Sequence, residues 1–195
     1  MKLLLAVTLG ASLLASAACA ADLSNIDPKA SVPLAPHAAD HAPGSCHFRL
    51  AANGMKLPDP ACTPGAINPT LTLEVLTNPA FRTGMVRDKI TNEKAKEIVY
   101  VWYGVAKPKN NAGPNQICEL DHNLDIGAGG ADTLDNIWPQ CGDPNVPIGE
   151  REFKTKDRFA EHSLIATIKH GAAGDLLELQ KRMAADWTQF LPTGH

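Results

Sequence analysis

Hydrophobic and polar positions in the first two thirds of the chain predict short strands separated by turns. Apolar and polar residues alternate loosely over 71–77, and β-branched and aromatic residues follow a charged, helix-like segment over 98–103. The run 117–122 also has strand character. Glycines over 127–130 favour positive φ angles and predict a turn. A second short structured segment follows this turn and is expected to end at Pro139.

The last third of the chain has the three- and four-residue apolar spacing of helices. A charged stretch beginning near 150 predicts a helix that stops at Gly171, because glycine is common just after a helix end. Leu176 and Met183 belong to the apolar stripe of a final helix over about 175–187, which we assign to the core. Short strands followed by helices predict an α+β fold.

The chain begins with a pattern typical of export. Lys2 is followed by an apolar run and then by small residues, so 1–21 is predicted to be an export signal, too short for a stable membrane span. Cleavage before Ala21 gives a secreted or periplasmic protein, whereas cleavage before Cys19 gives a lipid-anchored one. Ser16 stands where a lipobox prefers leucine, which favours simple secretion.

Two regions follow the signal. The segment 22–45 is rich in Pro and Ala without an apolar period, so we expect a flexible tether. His37 and His41 lie in it; a metal-binding pair is one interpretation, and two solvated side chains are the simpler one. The whole chain is 44% hydrophobic and 20% charged, enough for the core of one modest domain over 46–195.

Four cysteines lie in this domain, at Cys46, Cys62, Cys118 and Cys141. An even number in an exported chain indicates two disulfides, for which three pairings exist. Closeness in sequence favours Cys46 with Cys62 and Cys118 with Cys141. A four-cysteine zinc site is the alternative, and the absence of a C-x-x-C spacing argues against it.

The formal net charge of −3 is unfavourable for nonspecific binding to polyanions, which normally requires a basic surface. Contact with nucleic acid would therefore depend on a local basic cluster or on a metal ion. Lys154, Lys156 and Arg158, near the start of the predicted helix, are the candidates for contact with phosphate.

Asp121 and His122 combine a carboxylate with an imidazole at the end of the predicted strand. Hydrolysis of a phosphodiester needs a base that deprotonates water and a cation that offsets the growing negative charge. Histidine, with an unperturbed pKa of about 6.5, can be that base at neutral pH. A neighbouring carboxylate can hold a hard cation such as Mg²⁺. A structural histidine, hydrogen-bonded in a tight turn, is the equally open alternative for His122.

Carboxylates of the predicted helix are candidates for the second metal ligand. A count of about 100° per residue from Asp157 places Glu161 on the face that Leu164 and Ile168 mark as inward. Because buried carboxylates are costly unless paired or bound to a cation, Glu161 is the first candidate, Asp157 the second and His162 the third. Ion pairs with the basic residues of the same helix are the alternative.

Turn-forming side chains surround the histidine. Asp125, Asp132 and Asp135 are interpreted as turn and capping residues. Asn136 is expected to tie the loop through side-chain bonds to the backbone and so to hold His122 in place.

The stretch 119–140 reads ELDHNLDIGAGGADTLDNIWPQ. This pattern of E-x-D-H, G-G, a polar turn and N-x-W-P-Q resembles a group of small secreted bacterial proteins related to the HNH endonucleases, and a weaker likeness covers about 62–187. The resemblance implies a ββα-metal core in which His122 is the general base, Asp121 binds the metal and Asn136 fixes the loop.

The same group is expected to have a Lys-Asp-x-x-Glu spacing, which here reads Lys156-Asp157 with Glu161 one residue later. The first hypothesis is a secreted or periplasmic endonuclease for DNA, with RNA as a further substrate. It would use one divalent cation, Mg²⁺ before Mn²⁺ or Zn²⁺. The second hypothesis is a non-catalytic binding module with the same fold, held by disulfides. It stays open because a fold alone does not fix a function.

Overall fold

A computed structural model describes residues 21–38, 40–87, 93–171 and 174–193. Nearly all of the predicted export signal, with Cys19, lies outside these ranges. No helix within them is long and apolar enough to span a membrane.

The described chain combines short strands with helices, as the predicted α+β class requires. The strands are β1 Val32–Pro33, β2 Arg49–Leu50, β3 Lys56–Leu57, β4 Ala66–Ile67, β5 Cys118–His122 and β6 Ile137–Cys141. The helices are α1 Leu73–Thr77, α2 Glu93–Lys96, α3 Ile98–Trp102, α4 Glu152–Thr155, α5 His162–Lys169 and α6 Leu176–Ala185. A π-helical turn, Lys156–Glu161, joins α4 to α5 without a break.

The strands pair antiparallel in three two-stranded sheets, β1 with β4, β2 with β3 and β5 with β6. The β5–β6 pair is the longest and pairs Cys118 with Cys141 at one end and His122 with Ile137 at the other. Predicted strand 117–122 is therefore confirmed. The strand pair is followed in the chain by the long helix 152–169, which gives the order strand, strand, helix.

Both predicted disulfides, Cys46–Cys62 and Cys118–Cys141, are present. Cys46–Cys62 is buried beside α3 and β6 in the smaller of two hydrophobic clusters, with Val99 and Trp138. The larger cluster contains residues from α1, α5, α6 and the loop after β5. Two disulfides are compatible with an extracellular or periplasmic protein.

The helix 152–169 confirms the predicted one, and it ends just before Gly171, whose φ is 71°. Its central turn is π-helical, with the i to i+5 bonding that accommodates one extra residue. Residues five apart therefore lie on one face in this turn. The helical count from Asp157 assumed an α-helix throughout. Glu161, Leu164 and Ile168 are buried as it predicted, whereas Asp157 is exposed.

Two segments expected to be strands are helices instead. Over 71–77 the chain forms α1, which starts after Thr72, whose side chain accepts a bond from the Val75 amide. Over 98–103 it forms α3, in which Val99 and Trp102 are buried. Their three-residue spacing is helical, and it outweighs the strand propensity of β-branched and aromatic residues.

Strand β6 continues through Pro139, which was expected to stop it. Proline lacks the amide hydrogen that a central strand needs, but it is tolerated in an edge strand. In a two-stranded sheet both strands are edges, so Pro139 can stand opposite Leu120 within the ladder.

The segment 22–45 packs against the domain, which differs from the free tether expected from its composition. Val32 and Pro33 pair with β4, and Leu23 and Leu34 pack on the larger hydrophobic cluster. A few apolar side chains suffice for this contact, although they show no helical or strand period.

Candidate functional site

A polar cleft of about 150 Å³ opens where β5 ends beside the long helix. Most of the side chains that line it are charged or ionisable: Arg87, Lys96, Glu119, Asp121, His122, Asp125, Asp157 and Glu161. The structure thus brings together Asp121, His122 and Glu161, three of the residues that the sequence proposed for catalysis and metal binding.

The ammonium group of Lys156 lies between the two carboxylates proposed as metal ligands. Its Nζ is 2.7 Å from Asp121 Oδ2 and 2.5 Å from Glu161 Oε1, and it donates a 2.7 Å hydrogen bond to the carbonyl of His122. The Lys156 side chain is fully buried. Lys156 was predicted to contact phosphate, but burial and these ion pairs place its charge inside the protein.

The π-helical turn explains this arrangement. Lys156 is its first residue and Glu161 its last, five positions on, so the i to i+5 geometry puts both side chains on the inner face. A regular α-helix would separate these two positions by roughly 140° around the axis.

Three buried carboxylates, those of Asp121, Asp125 and Glu161, lie around the buried ammonium of Lys156. Burial raises the pKa of Asp121 and of Asp125, and it raises the pKa of Glu161 to about 7. Burial alone would lower the pKa of Lys156, but Asp121 and Glu161 raise it above its usual range. Lys156 is therefore charged at neutral pH, and the three carboxyl groups keep their protons to a higher pH than exposed ones do.

His122 is held by a carboxylate that sequence analysis assigned to a turn. Its Nε2 lies 2.9 Å from Asp132 Oδ1, which also accepts a 2.7 Å bond from Lys96 Nζ. Although burial opposes the change, the bonds from His122 and Lys96 hold the pKa of Asp132 well below its usual range. An ionised carboxylate only accepts hydrogen bonds, so Nε2 of His122 carries the proton and Nδ1 has the free lone pair.

The side chain of His122 is only 8% exposed, and this burial lowers its pKa despite the opposing effect of Asp132. His122 is therefore neutral at pH 7. No local pattern marks Asp132 as its partner, because the two residues meet only when the loop between β5 and β6 folds back.

Asn136 ties this loop, as the sequence predicted. Its amide donates to the carbonyls of Leu124 and Ala131, at 2.9 and 2.8 Å, and its Oδ1 accepts from the Leu124 amide at 2.9 Å. Two glycines allow the backbone of this loop to turn tightly. Gly129 has a φ of 94°, and a Cβ at Gly130 would collide with the Leu124 carbonyl.

The remaining predicted residues lie nearer the surface. Asp157 lines the cleft but is exposed and stands 4.0 Å from Lys154, whose ammonium is also 3.3 Å from Glu119. Arg158 and His162 are exposed. The salt-bridge alternative therefore holds both for Lys154 with Asp157 and for Lys156 with Glu161. His162 lies outside the set of residues that line the cleft.

A second group of ligating side chains lies outside the cleft. His41, Cys46 and Cys62 each offer one ligand atom, and these three atoms lie within 4.8 Å of one another, so the residues could hold a metal ion. The two cysteines are joined as a disulfide here. His41 is packed edge-on against Trp102, with ring centroids 4.8 Å apart, and so is not the solvated side chain that composition suggested.

Comparison of the chain with models of protein families, with curated proteins and with solved structures finds no match.

Replacing Asn136 by Ala should lower the free energy of unfolding by about 3 kcal/mol or more, since several buried backbone groups lose their partners at roughly 1–3 kcal/mol each. Urea unfolding at pH 7 measures this change. The matched control is Asn145→Ala, in an exposed loop, which should change stability by no more than about 0.5 kcal/mol. An equal effect of the two substitutions would contradict the assigned role.

Replacing Glu161 by Gln should remove part of the pH dependence of stability. Because the folded pKa of Glu161 is raised from 4.5 to about 7, the folded state binds more protons than the unfolded state between these values, and stability falls as pH rises through them. Relative to the variant, the wild type should lose on the order of 2 kcal/mol between pH 5 and pH 8. Urea unfolding across this range, with exposed Glu178→Gln as control, tests the sign.

Proposed function

We propose that the chain is an exported phosphodiesterase of the endonuclease type, acting on DNA, with RNA as a further substrate. The observation that carries the proposal is the juxtaposition of an Asp132-bound imidazole with the buried carboxylates of Asp121 and Glu161 at the end of β5. The order β5, β6, helix supports it, because the resemblance noted in the sequence implies a ββα-metal core.

His122 is the proposed general base. Asp132 fixes the proton on Nε2 and leaves the Nδ1 lone pair to accept a proton from water. The lowered pKa of His122 keeps the imidazole neutral at physiological pH, so the base is ready without prior deprotonation. Asn136 acts indirectly in this scheme, by fixing the loop that carries Asp132.

The side chains of the cleft fit a hard divalent cation in their chemistry. Carboxylate oxygens are the ligands that Mg²⁺ and Mn²⁺ prefer, and Asp121 Oδ2 is buried without a partner in hydrogen-bond geometry, although it touches the Lys156 ammonium. Asp121 and Glu161, with Asp125 beside them, would hold the ion. When bound, the ion would stabilise negative charge developing on the phosphate.

Lys156 would compete with a metal ion for Asp121 and Glu161. Its ammonium contacts the same two carboxylates that would bind the ion. A cation can reach both of them only if that ammonium moves away or is displaced. Arg87, which lines the cleft and was not selected from the sequence, and Lys154 at its margin are the side chains proposed to orient phosphate.

A non-catalytic binding module is the second candidate function. Two observations favour it: Lys156 already supplies a positive charge between Asp121 and Glu161, and His122 exposes only 6% of its surface. Under this alternative, the charged cluster stabilises the scaffold.

Supercoiled plasmid incubated with wild-type protein and Mg²⁺ or Mn²⁺ should be nicked. His122→Ala should lower the nicking rate by about 100-fold or more, because a general base typically contributes 10²–10⁴-fold. Asp132→Asn should also slow nicking, and Asp143→Asn, in an exposed loop, should leave the rate unchanged. Equal nicking by wild type and His122→Ala would remove the base assignment, and no nicking by any form would favour the binding module.

Replacing Lys156 by Met should increase the affinity for Mn²⁺ by about tenfold or more, since a competing positive charge leaves the site. The apoprotein should be less stable, because buried carboxylates lose their partner, and Mn²⁺ should then raise its melting temperature more than that of the wild type. Calorimetric titration and thermal melts measure both effects, with Lys169→Met, exposed at the end of α5, as control. Unchanged Mn²⁺ affinity would show that Lys156 does not compete for the site.

A further inference from the structure

The cluster of His41, Cys46 and Cys62 has the composition of a thiophilic metal site. His41 Nδ1 lies 3.5 Å from Cys62 Sγ, and the other ring nitrogen is buried without a hydrogen-bond partner among the described residues. The three ligand atoms lie within 4.8 Å of one another. An imidazole whose nitrogen faces a cysteine sulfur needs little rearrangement to share an ion with it.

Helix α3 fixes the position of this imidazole independently of the disulfide. The amides of Gly44 and Cys46 donate to the carbonyls of Val101 and Trp102, at 2.9 and 3.0 Å. The indole of Trp102 packs against the His41 ring. The 41–46 turn is therefore attached to the helix by its backbone, and reduction of the disulfide leaves these bonds in place.

The oxidation state of the sulfurs decides whether they can act as ligands. Thiolates bind metal ions, whereas the sulfurs of Cys46 and Cys62 are bonded to each other in this structure. Reduction by a dithiol transfers two electrons and two protons to the disulfide, which gives two cysteine thiols and an oxidised cyclic disulfide. Ion binding then releases the two thiol protons.

We propose that Cys46 and Cys62, once reduced, form with His41 a three-ligand site for a thiophilic divalent ion such as Zn²⁺. A site of two cysteines and one histidine suits zinc and leaves one of its four tetrahedral positions open. A cavity of about 280 Å³, lined in part by His37, His41 and Cys62, provides room for a water molecule at that position. The disulfide closes the site, and dithiol reduction opens it.

This site is separate from the hydrolytic cleft, since it shares none of the residues that line the cleft. The two sites also differ in chemistry. The cleft offers carboxylate oxygens to a hard ion, whereas the cysteine site offers sulfur and nitrogen to a softer one. Zinc binding here therefore stands whether or not the protein cleaves nucleic acid.

Cobalt spectroscopy tests the proposal directly. Protein is reduced with a dithiol, which is removed by gel filtration without oxygen, and Co²⁺ is then added. The reduced wild type should develop the visible bands of tetrahedral Co²⁺ and a thiolate charge-transfer band, and Zn²⁺ should bleach both. Oxidised wild type should develop neither. His41→Ala should bind Co²⁺ at least about tenfold more weakly, because loss of an outer-shell partner alone costs 10–100-fold.

A double variant, Cys46→Ser with Cys62→Ser, controls for the thiols of Cys118 and Cys141, and it should give no tetrahedral spectrum after the same reduction. Near-ultraviolet circular dichroism reports whether the reduced wild type remains folded or refolds when the ion is added. A wild type that gives no thiolate band, or that stays unfolded with Co²⁺, overturns the proposal. The same spectrum in His41→Ala or in the double variant also overturns it.

Discussion

The buried ammonium of Lys156 is the interaction on which the centre of the molecule depends. It joins the long helix to the end of β5 through Asp121 and the carbonyl of His122, and it also neutralises Glu161 within its own turn. Isolated charges are costly in a protein interior, and pairing with hydrogen bonds offsets part of this cost. Lys156 therefore ties the helix to the strand at the edge of the cleft.

Much of the framework could be read from the sequence because its signals are local. The strand 117–122, the helix ending before Gly171 and the two disulfide pairs each depend on a short pattern. The prediction of a strand over 98–103 was wrong. Its β-branched and aromatic residues indicate a strand, but burial at a spacing of three residues made the segment a helix. Tertiary packing outweighs propensity in so short an element.

The site was less predictable because its key contacts depend on long-range folding or on irregular backbone. Asp121, His122 and Glu161 could be named from residue type and spacing. The pairing of Asp132 with His122 requires the loop between β5 and β6 to fold back at its glycine turn. The position of Lys156 requires a π-helical turn, which a helical wheel drawn for a regular α-helix does not represent. π-Helical turns are rare overall but are often found at functional sites, and this one lies at the cleft.

The disulfide between Cys118 and Cys141 closes the strand pair at the end opposite its loop. Strand, loop and returning strand consequently form one covalent ring that contains His122 and Asn136. A protease that cut the backbone once inside this ring would produce two pieces still linked through sulfur. The nicked protein would keep its mass, apart from one added water, until a reductant separated the fragments.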